Sequence, residues 1–112
     1  MKRFSVVAVF VMFAGVAAFA QGKVDEGKAA YATYKCSTCH AIGGTGGKLA
    51  ASLDGVATKL KAEEIKKWLT DTTAMEATLK TKPKMLMSAN LKTKKITPAE
   101  FDALAAYLAT LK

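Results

Sequence analysis

The chain has 112 residues, enough for one small domain, and its 17 lysines and arginines against nine acidic residues give a net charge of +8. Every positively charged residue after position 3 is a lysine. Because arginine is the side chain that most often pairs with phosphate and guanine, this composition argues against a nucleic-acid function. Lysines instead favour long-range attraction to an acidic protein partner that is bound only briefly.

The first twenty residues have the pattern of an export signal. Lys2 and Arg3 precede an apolar run over residues 4–19, and residues 18–20 read Ala-Phe-Ala, which fits an A-x-A cleavage site. We therefore expect cleavage after residue 20, and a mature domain of residues 21–112 that is soluble and periplasmic. The alternative is an uncleaved N-terminal anchor.

A helix is predicted over residues 24–40, because Val24, Gly27 and Tyr31 recur at helical spacing. A glycine inside a helix costs about 1 kcal/mol relative to alanine. We therefore expect Gly27 to permit the close approach of another helix.

The end of this segment carries the sequence Cys36-Ser37-Thr38-Cys39-His40, which is the C-x-x-C-H motif of covalent haem attachment. Two thiols three residues apart on one helical turn point the same way, so each can bond to a vinyl group of one porphyrin. His40 is the only histidine in the chain, and it is therefore assigned as the proximal iron ligand. One motif and one histidine predict a single haem c.

Other uses of the two cysteines explain less of this pattern. A disulfide would suit an exported protein, but it leaves His40 without a role. A thioredoxin-like redox site needs a βαβ context, whereas the flanking sequence is helical. A zinc site needs four ligands of the Cys or His type unless it keeps an open catalytic position, and the chain has only three such residues.

The middle of the chain supplies candidate haem contacts. Residues 41–54 include four glycines within five positions, which predicts a loop without regular structure, and Leu53 near its end is available to pack on the haem. A second helix is predicted over residues 63–69. We expect its Trp68, the only tryptophan, to line the haem pocket, although ordinary core packing would give the same pattern.

The last third of the chain divides into an irregular part and a helix. Residues 71–96 contain three methionines and many lysines, and we predict them to be mostly irregular. The sequence Thr-Pro-Ala-Glu at residues 97–100 then supplies an N-cap, a proline at the first helical position and a capping-box glutamate. An apolar stripe follows at Phe101, Leu104, Leu108 and Leu111.

Taken in order, residues 24–112 resemble a small class I cytochrome c. The resemblance rests on the helix with Gly27 and Tyr31, the C-x-x-C-H motif, the glycine loop, the middle helix, the methionine segment and the closing helix. It implies an all-α fold, with three to four helices wrapped around one covalent haem. It also implies that Gly27 and Tyr31 meet Leu104, Tyr107 and Leu108 where the first and last helices cross.

The resemblance further implies that a methionine before the last helix is the second axial ligand. Met85, which follows Pro83 and Lys84, occupies that place, and Met87 and Met75 are the alternatives. As a further alternative, these methionines are adaptable core residues. A neutral thioether stabilises ferrous over ferric iron and fills the sixth coordination position, which suits electron transfer.

The chain departs from the family pattern at three points. Ala51 stands where relatives have a proline whose carbonyl accepts the proximal ring N–H, although the alanine carbonyl can serve the same purpose. Thr72 stands where a proline often follows the middle helix, and the segment leading to Met85 is longer than in compact relatives. The mature domain also has no arginine to contact the haem propionates.

These features predict an exported, single-haem electron carrier and not an enzyme. It would cycle between ferric and ferrous iron as a monomer and dock on acidic surfaces of redox proteins through lysines such as Lys48, Lys82 and Lys84. The alternative is a haem enzyme or gas-binding sensor with an open or weakly held sixth site, and a bound subunit of a larger oxidoreductase is a third possibility. A peroxidase would want a distal histidine, which the chain lacks.

Overall fold

The fold is mainly helical, which confirms the all-α prediction. A computed structural model describes residues 21–83 and 85–112, so the predicted export signal and Lys84 lie outside the described residues. Within them, four longer helices accompany the single turns α2 and α4. The helices are α1 (residues 21–33), α2 (Val56–Lys59), α3 (Ala62–Thr70), α4 (Thr72–Glu76), α5 (Met87–Lys94) and α6 (Pro98–Leu108).

Helix α1 ends earlier than the sequence pattern predicts. The backbone leaves the helix after Thr33, and Lys35 adopts a left-handed conformation with φ of 54°. A 3₁₀ turn over Cys36–Thr38 follows. The predicted continuous helix over residues 24–40 is therefore wrong beyond Thr33, because a left-handed residue terminates an α-helix and redirects the chain.

The glycine-rich segment contains a small hairpin. Strand β1 (Ala41–Ile42) pairs antiparallel with β2 (Thr45–Gly46), and Gly43 and Gly44 form the two-residue turn with φ of 59° and 78°. Positive φ at both central residues is the geometry of a type I′ hairpin, which glycine adopts without steric strain. The prediction of a loop without regular structure is therefore wrong for residues 41–46.

Residues 71–96 are more ordered than predicted, since they include α4 and α5. Thr72 is buried, and its hydroxyl donates to the Trp68 carbonyl at 2.7 Å, which joins α3 to α4. Glu76 is also buried, and its Oε2 accepts from the Ser88 backbone N–H at 3.4 Å. The Thr72 contact is local, whereas the contact of Glu76 with Ser88 joins α4 to α5 across 12 positions, a pairing that local propensity does not encode.

The core forms where α3 packs against α6. Ile65 of α3 lies buried with Ala105 and Leu108 of α6, and partly buried side chains surround this cluster. Lys66 and Asp102 add a salt bridge of 2.8 Å between the same two helices. The predicted start of α6 is confirmed, because Thr97 and Glu100 form the expected capping box.

Helix α1 crosses α6 at Gly27. A Cβ atom at Gly27 would overlap the Ala103 carbonyl and the Tyr107 Cβ, so only glycine allows this approach. The rings of Tyr31 and Tyr107 meet edge to face, with centroids 5.9 Å apart. The predicted role of Gly27 and its meeting with Tyr107 are confirmed.

Candidate functional site

The cysteines lie on one compact turn of backbone. The N–H groups of Cys39 and His40 both donate to the Cys36 carbonyl, at 3.3 Å and 3.1 Å. Both cysteines are free thiols and half-buried. The turn therefore presents two separate thiols and one imidazole within five residues of chain, as covalent haem attachment requires.

Burial has a larger effect on the pKa of the Cys36 thiol than the neighbouring charges have. Loss of solvent raises the pKa of Cys36 above its usual value, and the positive charge of Lys94 opposes that rise. A thiol with a raised pKa is neutral at physiological pH and behaves as a small apolar group. The environment of Cys36 is thus suited to packing against an apolar ring system.

The imidazole of His40 is oriented by a backbone carbonyl. Its Nδ1 lies 2.7 Å from the carbonyl oxygen of Ala51. A carbonyl can only accept a hydrogen bond, so Nδ1 carries the ring proton and Nε2 keeps its lone pair for a metal. Ala51 therefore supplies the contact that the resemblance assigns to a proline carbonyl, and this contact orients the ring.

The end of the hairpin and the residues after it contact the attachment turn, residues 36–40. Gly47 donates its N–H to the Ser37 carbonyl at 2.8 Å, and Ala50 donates to the Cys39 carbonyl at 2.9 Å. A Cβ at Gly47 would overlap the Thr38 carbonyl, and one at Gly46 would overlap the His40 carbonyl. This role of the two glycines was not predicted, and their place a few residues after the motif was the available signal.

The residues of this turn fit a covalently attached haem. The donor set comprises two free thiols and one imidazole nitrogen with a free lone pair. Within residues 21–83 and 85–112, no group of three or more His, Cys, Asp or Glu side chains could hold a metal ion directly. A porphyrin would supply four nitrogen ligands to an iron at His40, and the two thiols would attach it covalently.

A buried hydroxyl adjoins the same region. Tyr31 Oη is a buried side-chain atom without a hydrogen-bond partner in the described part of the chain. Burial, followed by the proximity of Cys36, raises the pKa of Tyr31 to about 12. The hydroxyl therefore stays protonated at physiological pH.

The three candidate methionines differ in their environment. Met85 precedes α5, and its side chain is 54 % exposed. Met87 is half-buried as the first residue of α5, and Met75 is half-buried within α4. Met85 stays a prediction as the second axial ligand, with Met87 and Met75 as its alternatives.

The other predicted haem contacts are half-buried. Leu53 packs against the core cluster of Ile65, Ala105 and Leu108, so ordinary core packing already accounts for its position. Trp68 is half-buried on α3. Haem contacts by Leu53 and Trp68 both stay predictions.

A hydrogen-bond network that links Tyr34 to Glu100 and Lys94 was not predicted. The Tyr34 hydroxyl donates to the Glu100 carboxylate, 2.8 Å from Oε1 and 2.7 Å from Oε2. This contact, together with those to Thr97, lowers the pKa of Glu100. Lys94 Nζ donates to the Tyr34 carbonyl at 2.7 Å. From the sequence, Glu100 has an evident role only in the capping box of its own helix. No local pattern indicates its hydrogen bond with Tyr34, which lies 66 residues away.

Comparison with known proteins agrees with this geometry. The family model described as Cytochrome c matches residues 24–112 of the chain. No curated protein and no solved structure matches it. In the described residues, no helix combines the length and the apolar character that crossing a membrane requires.

Proposed function

Since this chain belongs to the cytochrome c family, we propose that it is an exported electron carrier with one haem, held axially by His40 and Met85. Haem-based electron transfer is the usual activity of this family, and Cys36 and Cys39 are the residues for covalent attachment. When bound, the haem supplies a one-electron couple between ferric and ferrous iron.

The observation that carries this proposal is the hydrogen bond between His40 and Ala51. It fixes the tautomer and the orientation of the only imidazole in the chain, immediately beside two free thiols. An oriented imidazole ligand limits structural change when the charge at iron changes by one. Small structural change on oxidation suits electron transfer, whereas ligand exchange depends on the sixth coordination position.

The second axial position decides between a carrier and a ligand-binding protein. A sulfur from Met85 would occupy the sixth coordination position, exclude small ligands and favour the ferrous state. If no methionine sulfur binds the iron, the sixth site would be open or weakly held, as in a haem enzyme or gas sensor.

Absorption spectroscopy of the purified holoprotein tests the proposal. A carrier should give low-spin spectra in both oxidation states, a red-region sulfur-to-iron band when oxidised, and no binding of carbon monoxide when reduced. High-spin spectra with ready carbon monoxide binding would favour the sensor or enzyme. Protein that receives no haem in cells equipped for covalent attachment would contradict both functions.

Lysine side chains support docking on acidic redox partners. Lys48 and Lys82 are exposed, while Lys84 lies outside the described residues. Exposed lysines attract an acidic surface over a long range without forming rigid contacts. We propose that the protein binds its partners weakly, as a monomer in the periplasm.

A further inference from the structure

Lys94 differs from the exposed lysines because its ammonium group is held in place. It lies in the last turn of α5, is half-buried, and donates from Nζ to the Tyr34 carbonyl at 2.7 Å. Tyr34 is two residues before Cys36 in the chain. The hydrogen bond therefore ties a positive charge to the backbone directly before the attachment turn.

No carboxylate is paired with this charge in the described part of the chain. The salt bridge between α3 and α6 joins Lys66 to Asp102, and the Glu100 carboxylate is held by Tyr34 Oη and by Thr97. The positive charge of Lys94 also acts on the Cys36 thiol, where it opposes the effect of burial on the pKa. The field of Lys94 thus reaches the attachment residue.

From this geometry we propose that Lys94 is a fixed positive charge that raises the reduction potential of the haem centre. The inference rests on the proposed electron-transfer function. Oxidation adds one positive charge to the centre, and a cation held nearby makes that state less favourable. Partial burial keeps solvent and salt from screening the interaction as strongly as at an exposed lysine.

Potentiometric titration of the holoprotein tests this inference by comparing the reduction potentials of the K94Q and K92Q variants. Lys92 lies in the same helix and loses the same charge when replaced by glutamine, but it is exposed. At a fixed applied potential, we expect K94Q to lower the ferrous-to-ferric ratio at least about threefold. This ratio corresponds to about 28 mV, given 59 mV per tenfold change for one electron. K92Q should shift the potential by less than half as much. As salt is added, the shift caused by K92Q should disappear before the shift caused by K94Q.

Further variants separate charge from structure. K94R retains the charge and should keep most of the wild-type potential, while K94M provides a second neutral variant if K94Q does not assemble with haem. Equal shifts for K94Q and K92Q, or no shift for K94Q, would overturn the inference and leave the electron-carrier function intact. A wild-type protein without a reversible one-electron couple would overturn both.

Discussion

Gly27 is the residue whose replacement should disturb the helix crossing most. In the Gly27→Ala variant, the new Cβ would meet the Ala103 carbonyl and Tyr107 Cβ, and a backbone carbonyl cannot move aside without shifting α6. We expect the free energy of unfolding to fall by about 1–3 kcal/mol, as measured by urea denaturation of the holoprotein.

Gly22 provides the matched control for this substitution. It lies in the same helix, and a Cβ there would have no atom within 4 Å. Gly22→Ala should leave stability unchanged or raise it by up to about 1 kcal/mol, since alanine is the better helix former. Equal losses for the two variants would contradict the explanation that the helix crossing determines the effect at Gly27.

The contact between Tyr34 and Glu100 should make stability depend on pH. Hydrogen bonds from Tyr34 lower the pKa of Glu100, so the contact stabilises the fold above the usual glutamate pKa. That contribution is lost as the pH falls through the lowered pKa of the folded state. The same contact raises the pKa of Tyr34, so its contribution also declines when the hydroxyl ionises in alkali.

Unfolding measurements on Tyr34→Phe test this dependence. The difference in unfolding free energy from the wild type should be largest near neutral pH and should shrink in acid. In a Glu100→Gln background, Tyr34→Phe should no longer change the acid dependence. A difference that is constant from neutral to acidic pH would show that the lost hydroxyl matters only through packing.

Replacing one methionine at a time identifies the second axial ligand. Met85→Leu keeps an apolar side chain of similar volume but removes the sulfur, so we expect the sulfur-to-iron band to vanish and the potential to fall. Met87→Leu is the control and should retain the band. The reverse result would assign the ligand to Met87, and retention of the band in both variants would point to Met75.

The start of α6 depends on the Thr97 cap. Thr97 Oγ1 accepts from the Glu100 N–H at 3.2 Å, so Thr97→Ala leaves that donor without its side-chain partner. We expect a loss of about 1 kcal/mol in thermal or urea unfolding. Thr93→Ala should change stability much less, because Thr93 is exposed on α5 and its hydroxyl bonds only to the nearby Asn90 carbonyl. A loss as large at Thr93 would contradict the capping explanation.

The helices that were predicted correctly are those with strong local signals. Helix α6 has a cap, a proline and an apolar stripe within its own sequence, and α3 has an apolar face. Helices α4 and α5 were missed because they depend on contacts from elsewhere, such as Glu76 with the Ser88 N–H. The early end of α1 depends on a left-handed lysine, a conformation that the residue type does not predict.

The candidate site, like the helices, was predictable only where its signal is local. The C-x-x-C-H motif is local, so Cys36, Cys39 and His40 were identified from five consecutive residues. The contacts of Gly47 with Ser37 and of Tyr34 with Glu100 pair residues outside the motif with residues in or beside it, the second across 66 positions. A single sequence does not specify such pairings, and they determine how the motif is held.

The charge of the whole molecule should control its encounter with partners. Without Lys2 and Arg3, fifteen lysines remain against nine acidic residues. We expect the second-order rate of electron transfer to an acidic redox protein to fall several-fold between low and moderate ionic strength, as measured by stopped-flow absorption. The reaction with a small uncharged reductant is the control and should be nearly independent of salt. Equal salt dependence for both reactants would contradict docking through lysines.

The carbonyl of Ala51 has a consequence for how this protein can diverge during evolution. The group that holds His40 belongs to the main chain, so every amino acid encoded at position 51 supplies it. Mutations of that codon can accumulate with little effect on the imidazole as long as the path of the backbone is kept. A saturation library should therefore tolerate many residues at position 51 and few at Gly47, where any side chain would displace the turn.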